Sequence, residues 1–351
     1  MPEPRKRGAR GPAPTNEANL RDVAALAGVS PATVSRVLTG TAGVRDETRA
    51  KVREAAEELG YVANGLAQAM LGRGRRPLAL VTPALHDAAF SELASGAEEV
   101  ATHNGHLFLM AFTHGDVARE EAIIATLREQ RAAGVVLVHA GAPDKEADQR
   151  IAGYLHSLAS VNATLVLCGH PYLPSLPSVA TVNVDQIGGA RAAVIHLGAK
   201  GHRRIAFLGL THSSAANQRF LGYSLGLRDA GLTIDSSLVV ECPDETVEAH
   251  LAALLLLRKP DPPTAIVCFS DIVAVGVYRA ARDFHVDIPG QLAVVGFDDS
   301  PFAADLTPGL TSIHAPFYDM GARSARLALR LTDDDTHVDL PTELVARDST
   351  G

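Results

Sequence analysis

The 351-residue chain has no tryptophan, three cysteines and only 5% aromatic residues. Its longest apolar runs, at residues 251–257 and 134–138, fall well short of the ~18 residues a membrane-crossing helix needs. That excludes an integral membrane protein of the helical type. Cys168, Cys242 and Cys268 lie far apart, beside or inside apolar runs and without C-x-x-C spacing. They read as small buried hydrophobes in a reducing compartment, not as a disulfide scaffold or a zinc ribbon. No G-x-G-x-x-G, P-loop or H-E-x-x-H occurs, so none of those cofactor, nucleotide or zinc-enzyme motifs is available. Neither a cofactor nor a metal is expected. The opening MPEPRKRGARGPAPTNE carries basic residues with no apolar segment behind them. It is therefore not read as a secretory signal, and the expected location is the cytoplasm.

What remains is an ordinary globular composition, 46% hydrophobic and 21% charged, in a chain long enough for two or three domains. The net charge of −8 conceals an asymmetry. Residues 1–76 hold 13 Lys and Arg against 8 Asp and Glu, whereas residues 77–351 hold 19 against 32. A small basic head precedes a large acidic body, which suits a protein that meets a polyanion with one end only. A merely solvated basic tail accounts for the excess equally well, and the motifs must decide.

In the head, Leu20, Val23, Ala24 and Ala27 fall at i, i+3, i+4 and i+7, the apolar face of a short helix that Gly28 ends. Ser30 is a natural N-cap and Pro31 is preorganised for the first helical position. Val34, Val37 and Leu38 then continue an inward face up to Gly40. Two short helices joined by a glycine-containing turn form the helix-turn-helix pattern, whose second helix enters the major groove. Pro31, Ala32, Thr33, Ser35, Arg36 and Thr39 are left near the outer surface. Arg36 is suited to guanine O6 and N7, and Thr33 and Ser35 to phosphates. A third helix is predicted over 46–59, with Val52, Ala55, Ala56 and Leu59 inward and Gly60 at its end. A protein-binding three-helix bundle is the competing reading.

Beyond it, Asn64 heads a segment of about eight helical residues with Leu66, Ala67 and Met70 on one stripe. So short a helix is marginal alone in water and needs a partner: the same segment of a second subunit, or the minor groove of DNA. Read by itself the segment is an ordinary linker. Residues 1–19, with Arg5, Lys6, Arg7 and Arg10 among Pro and Gly, are expected to be a disordered basic tail.

From residue 78 onward, apolar runs alternate with helical patterns, giving an α/β class with doubly wound parallel sheets. Strands are predicted at 78–82, 107–112, 135–139, 165–168, 204–209, 266–269 and 293–297, with 238–241 a weaker case. Helices are predicted at 90–104, 120–133, 186–199, 218–230, 271–284 and 318–331. There are too many strands for one compact sheet, so two lobes are expected: 77–180 with 314–333, and 181–313 with 334–351. Ligands of such sheets bind outside the carboxyl ends of the strands. Those ends supply Asp87, Phe90, Asp185, Ser270, Asp271, Asp298 and Asp299, and Phe90 and Phe317 are the aromatic faces available for stacking. Such a set suits a polyhydroxyl or nucleoside-like ligand. Each acid taken singly reads as a helix cap, Asp271 above all.

The stretches LRDVAALAGVSPATVSRVLTG and VRDETRAKVREAAEELGYVANGLAQAM resemble the DNA-binding head and hinge helix of the LacI/GalR family of bacterial transcription regulators. The resemblance implies that Pro31, Ala32 and Arg36 read an operator in the major groove, and that Asn64, Ala67 and Met70 face the minor groove. Met70 stands where a wedging leucine is usual, and Arg45 where Ser or Thr often caps the third helix, a cap that falls to Asp46. The body is similar to the family's periplasmic-binding-protein-like regulatory core. Arg219-Phe220-Leu221-Gly222-Tyr223 matches its effector-binding arginine at Arg219, Val294-Val295-Gly296-Phe297-Asp298-Asp299 its effector-binding aspartate at Asp298, and Leu306-Thr307-Pro308-Gly309-Leu310-Thr311-Ser312-Ile313 the stretch that crosses back to the first lobe. Ser270 replaces the usual asparagine, and Ala88-Ala89 a bulkier pair before Phe90.

The resemblance implies a ligand-controlled repressor, not an enzyme. It would bind a palindromic double-stranded DNA operator as a homodimer or tetramer, on the nucleoid, and take a small sugar- or nucleoside-like effector between the lobes. Two readings from other classes compete: a sugar-binding protein without gene control, and a hydrolase using Ser224 of Gly222-Tyr223-Ser224-Leu225-Gly226. The second needs a sharp strand-to-helix turn, whereas Phe220, Tyr223, Leu227 and Ala230 form a helical pattern. His103-Asn104-Gly105-His106 lacks further nearby ligands for a metal.

Overall fold

A computed structural model of the chain describes residues 18–38, 43–61, 76–83, 88–138, 145–211, 213–332 and 335–351. It divides into two units after Arg75.

Among its described residues the first unit holds three helices: α1 (Leu20–Ala27), α2 (Pro31–Leu38) and α3 (Asp46–Glu58). The Asn19 side chain accepts from the Arg21 N–H (2.9 Å), and Asp22 reaches back to the Asn19 N–H (2.8 Å). Asn19 thus belongs to the head as its first cap and not to the tail. Gly28, at φ +67°, turns the chain, a backbone angle that costs other residues energy. Ser30 caps α2 by accepting from the Thr33 N–H at 3.2 Å, as its position in the sequence predicts. Val23, Ala24, Val34, Val37, Val52, Ala55 and Ala56 form the small core, with Tyr61 packed against it. Leu59, expected inside, is exposed, since α3 ends at Glu58. Arg45 sits at the cap position of α3 without a side-chain cap bond. Asp46 is the first helical residue, 3.9 Å from Arg49, so it does not replace the cap but adds negative charge at the positive helix end.

The second unit contains two six-stranded sheets. The first comprises β1 (Leu78–Thr82), β2 (Phe108–Phe112), β3 (Gly134–Val138), β4 (Thr164–Cys168), β5 (Ala180–Val184) and β11 (His337–Leu340), in the order β11-β5-β4-β3-β1-β2. The second comprises β6 (Ile205–Leu210), β7 (Val239–Glu241), β8 (Ala265–Cys268), β9 (Ala293–Asp298), β10 (Thr311–His314) and β12 (Glu343–Val345), in the order β12-β10-β9-β8-β6-β7. All pairs are parallel except β12 against β10. Strands β1, β3 and β8 are buried at every position, which is why they appear as apolar runs and not as alternating ones.

Among the described residues eight α-helices cover the sheets: α4 (Ala88–His103), α5 (Val117–Glu129), α6 (Lys145–Ala159), α7 (Gln186–Ala199), α8 (Ser214–Asp229), α9 (Thr246–Leu257), α10 (Asp271–Asp283) and α11 (Phe317–Ala328). Helices α4 and α11 approach unusually closely. A Cβ on Gly96 would lie 2.0 Å from the Tyr318 carbonyl oxygen, and one on Gly321 would lie 1.9 Å from that of Leu93. Only glycine allows this crossing.

The lobes divide later in the chain than the sequence suggests. β5 pairs with β4 on one side and β11 on the other, so both lie in the first sheet, although 181–184 and 337–340 were expected in the second lobe. The chain therefore crosses at Asp185, at Ala315-Pro316 and between Leu340 and Glu343. Arg76, expected in the linker, belongs to the core. Its guanidinium donates to the carbonyls of Arg131 (2.6 Å), Ala132 (2.5 Å), Val161 (2.7 Å) and Asn162 (3.2 Å). Among the described residues no helix is long and apolar enough to cross a membrane.

Candidate functional site

On α2, Val34 and Val37 are buried, while Pro31, Ala32 and Arg36 are exposed and Thr33 and Ser35 half-buried. The helix therefore presents the expected outer face. The Thr33 hydroxyl lies 2.9 Å from the Ser30 hydroxyl, within the cap itself. Thr39, Asn64, Ala67 and Met70 lie outside the described residues, as does Asp87 in the body.

In the body, a cavity of about 260 Å³ opens at the carboxyl ends of strands from both sheets. The strand order of each sheet reverses there, at β1/β3 in the first and β6/β8 in the second. Adjacent connections leave to opposite faces at such a point and part to form a crevice. Val138, Thr211, Asp244, Phe269 and Asp298 reach the cavity from strand ends, and Phe90, Gln186, Arg219 and Phe317 from helices.

Arg219 organises the second-lobe wall. Its side chain is 5% exposed and that of Asp298 6%, and Nη2 donates to Asp298 Oδ1 at 2.9 Å. Nε donates to Gln186 Oε1 at 2.6 Å, and Nη1 donates to the Phe269 carbonyl. The guanidinium carbon lies 3.6 Å from the centre of the Phe297 ring and 4.5 Å from that of Phe269. A buried cation held by an ion pair, two further hydrogen bonds and two aromatic faces is compensated and fixed in direction. Asp298 has φ +101° and Asp299 +56°, an uncommon conformation that turns the chain sharply at the end of β9. Asp299 points away from the cavity wall to Arg347 (2.6 Å) and His314 (3.4 Å).

Of the residues singled out in the sequence, Phe90, Arg219, Asp298 and Phe317 line the cavity, and Asp185, Ser270 and Asp271 do not. Asp185 caps α7, accepting from the Gly188 N–H at 2.7 Å. Ser270, not Asp271, caps α10, accepting from the Val273 N–H at 3.2 Å, while its hydroxyl donates to Asp244. Asp271 is fully buried and accepts from the Ser300 N–H and the Ser312 hydroxyl, both at 2.6 Å. Burial pushes its carboxyl up to about 6 against these two bonds, and the Asp299 charge adds to the rise. These three residues build the frame behind the wall. Thr211, Ser213, Asp244 and Gln186 also line the cavity, although the sequence does not single them out. Helix α8 begins four residues earlier than its apolar pattern suggests, because Ser213 caps it through the Ala216 N–H (3.1 Å). Its first turn, with Ala215, thereby reaches the cavity.

Ser224 lies inside α8 and donates to the Phe220 carbonyl at 2.8 Å, so it sits on no strand-to-helix elbow. His106 Nδ1 is 2.6 Å from the Arg76 carbonyl. Among the described residues no group of three or more His, Cys, Asp or Glu is arranged to hold a metal.

A family model described as bacterial regulatory proteins, lacI family, matches residues 19–64, and one described as a periplasmic binding protein-like domain matches residues 194–350. The HTH-type transcriptional regulator DegA of Bacillus subtilis (strain 168) is 31% identical over 94% of this chain and 97% of its own length. Among solved structures, the Lac repressor dimer bound to operator and the anti-inducer ONPF superposes with a TM-score of 0.84 at 26% identity, covering 95% of this chain and 99% of that one. A complex of the transcriptional regulator CelR with cellobiose gives 0.69 at 30% identity, with the same coverage. With full-length identity above 30% to such a regulator and a matching family model on its head, the chain belongs to the LacI family of bacterial transcriptional regulators.

Proposed function

We propose that the protein is a cytoplasmic, nucleoid-associated repressor that binds a palindromic operator as a homodimer and is controlled by a small effector in the cavity between its lobes. The observation that carries this reading is the presence, in one chain, of a helix-turn-helix head with an exposed α2 face and a two-sheet core with a cavity at its strand ends. In this reading α2 lies in the major groove, where Arg36 reads a base and Pro31 and Ala32 make close contacts. Thr33 and Ser35 bond phosphates. Asn64, Ala67 and Met70 act in the minor groove at the operator centre, where two copies of the segment meet. The Lac repressor and CelR complexes, with operator and with a sugar respectively, support the two partner classes.

Phe90, Arg219, Asp298 and Phe317 are the residues assigned to the effector, together with Gln186, Thr211 and Asp244. Asp87 stays in the assignment on its place in the sequence, and Asp185, Ser270 and Asp271 are reassigned to support. Control works by population shift: an effector that binds one angle between the lobes better than another biases the state that holds DNA. Coupling of about 1 to 3 kcal/mol, some 5- to 150-fold in affinity, is the usual scale. The test is selection of duplexes from a random pool by the full chain, followed by binding titrations. Enrichment of a two-fold symmetric site is expected; recovery of no preferred sequence would overturn the reading.

A further inference from the structure

Strand β5 is buried at every position, and Val182 and Val184 in it are fully enclosed. Asn183 between them is 3% exposed. Its Nδ2 donates to Gln218 Oε1 on α8 at 3.2 Å, so a side chain of the first sheet is bonded to a helix of the second lobe. Its other polar atom, Oδ1, is buried with no hydrogen-bond partner among the described residues. A carbonyl that gives up water without a replacement costs stability, and valine, the residue on either side, would not. Gln218 is held only weakly on its other side. Its Nε2 reaches the Ser214 carbonyl at 3.4 Å and the Ser214 hydroxyl at 3.3 Å, both long. A loosely held donor therefore stands on the same side chain that already touches an acceptor with none. Two primary amides can bond reciprocally, each N–H to the other's carbonyl, and a modest approach of α8 to β5 would add the second bond. Asn183 lies two residues before the crossing at Asp185. Any rotation of one lobe on the other about the crossings moves α8 against β5.

We infer that Asn183 and Gln218 form a two-position latch between the lobes. One amide bond holds the arrangement described above, and a second, from Gln218 Nε2 to Asn183 Oδ1, forms when α8 shifts toward β5. The buried carbonyl is the acceptor kept for that second position. The part of the latch in control rests on the proposed shift between lobe angles.

The test is double electron–electron resonance on the full chain without DNA or ligand, with spin labels on Glu146→Cys in the first lobe and Glu245→Cys in the second, diluted into unlabelled chain. Both positions are exposed, and Cys168, Cys242 and Cys268 are buried away from the label. The wild type should give two inter-label separations. Gln218→Met and Asn183→Val each remove one bond from the present arrangement and two from the other. Each should raise the component at the present separation about fivefold relative to the second, the worth of one ordinary hydrogen bond. The double variant should do no more than either single one, because both break the same latch. Gln218 is half-buried and methionine matches its length, so that variant keeps the fold even if the Asn183 variant does not. A single separation in the wild type, an unchanged distribution in Gln218→Met, or a double variant whose effect is the product of the two singles would overturn the inference. Operator affinity measured alongside separates the two ideas. A shift in separation with unchanged operator affinity leaves the latch standing and sinks control by lobe angle, whereas no shift sinks the latch alone.

Discussion

Arg219 and Asp298 lie 79 residues apart in the chain and form a buried ion pair, 2.9 Å between Nη2 and Oδ1, that ties helix α8 to the end of β9. Removing one member leaves the other's charge largely buried and without its partner. Asp298→Ala should therefore destabilise the core by about 3 to 5 kcal/mol in urea unfolding. Asp298→Asn keeps an oxygen for Arg219 and should cost about 1 to 3 kcal/mol. The Asn variant should still bind operator and should no longer respond to effector. A normal response in an operator-release assay would remove Asp298 from the effector site.

Asp271 supplies a pH signature opposite to that of most carboxylates. Its carboxyl is raised from 3.8 to about 6 by burial, so between those values the folded state binds its proton more tightly than the unfolded chain does. Its contribution to stability is greatest below pH 4, declines as pH rises to about 6 and is level above, a change of about 3 kcal/mol. Asp271→Asn does not titrate. The stability of the wild type relative to this variant should fall from pH 4 to pH 6 and then stay constant, which chemical denaturation at several pH values measures. A difference that stays level or grows over that range would show that Asp271 is an ordinary ionised carboxylate.

The α4–α11 crossing predicts a sharp contrast between two identical substitutions. Gly321→Ala places a methyl against the Leu93 carbonyl and forces the helices apart. A loss of about 3 kcal/mol is expected, at the upper end of overpacking costs, lowering the thermal midpoint by roughly 6 to 12 °C. Gly153→Ala, on the exposed side of α6 with nothing within 4 Å of the added carbon, should raise stability by about 1 kcal/mol through helix propensity. Equal midpoints for the two variants would refute the close crossing.

Arg36 is exposed on the face of α2 proposed to meet DNA. Arg36→Ala should weaken operator binding by about 1 to 3 kcal/mol per half-site, with the loss confined to one base pair in a substitution series. Uniform weakening on every sequence would mean that it contacts phosphate only.

Much of the fold was legible because it is written locally. Gly28, Ser30 and Pro31 delimit the head helices with their own backbone preferences, and the bounds of α7 are those its pattern predicts. Helix α6 is not among the predicted helices, although Ala147, Ile151, Tyr154 and Leu158 mark a buried stripe. In α9 the run of leucines is apolar on nearly every side and offers no clear period. Strands β11 and β12 are short and partly polar, and they exist only through partners far away in the chain. The site was half legible for a related reason. The rule that strand ends line the cavity finds Asp298 and, applied to β6 and β7, would have found Thr211 and Asp244. It does not tell an acid that faces the cavity from one that caps a helix, as Asp185 does, or braces a loop, as Asp271 does. That distinction depends on which amides lie within reach, and these are contributed by neighbouring segments.

The four carbonyls gripped by Arg76 give the core a fixed mooring for the chain that enters it. They belong to the chain leaving α5 and the turn after α6, so a shift of either is carried directly to the point where the polypeptide departs toward residue 75. Lysine would keep the positive charge but could not span all four oxygens. Such a protein would retain its fold while losing part of this anchor.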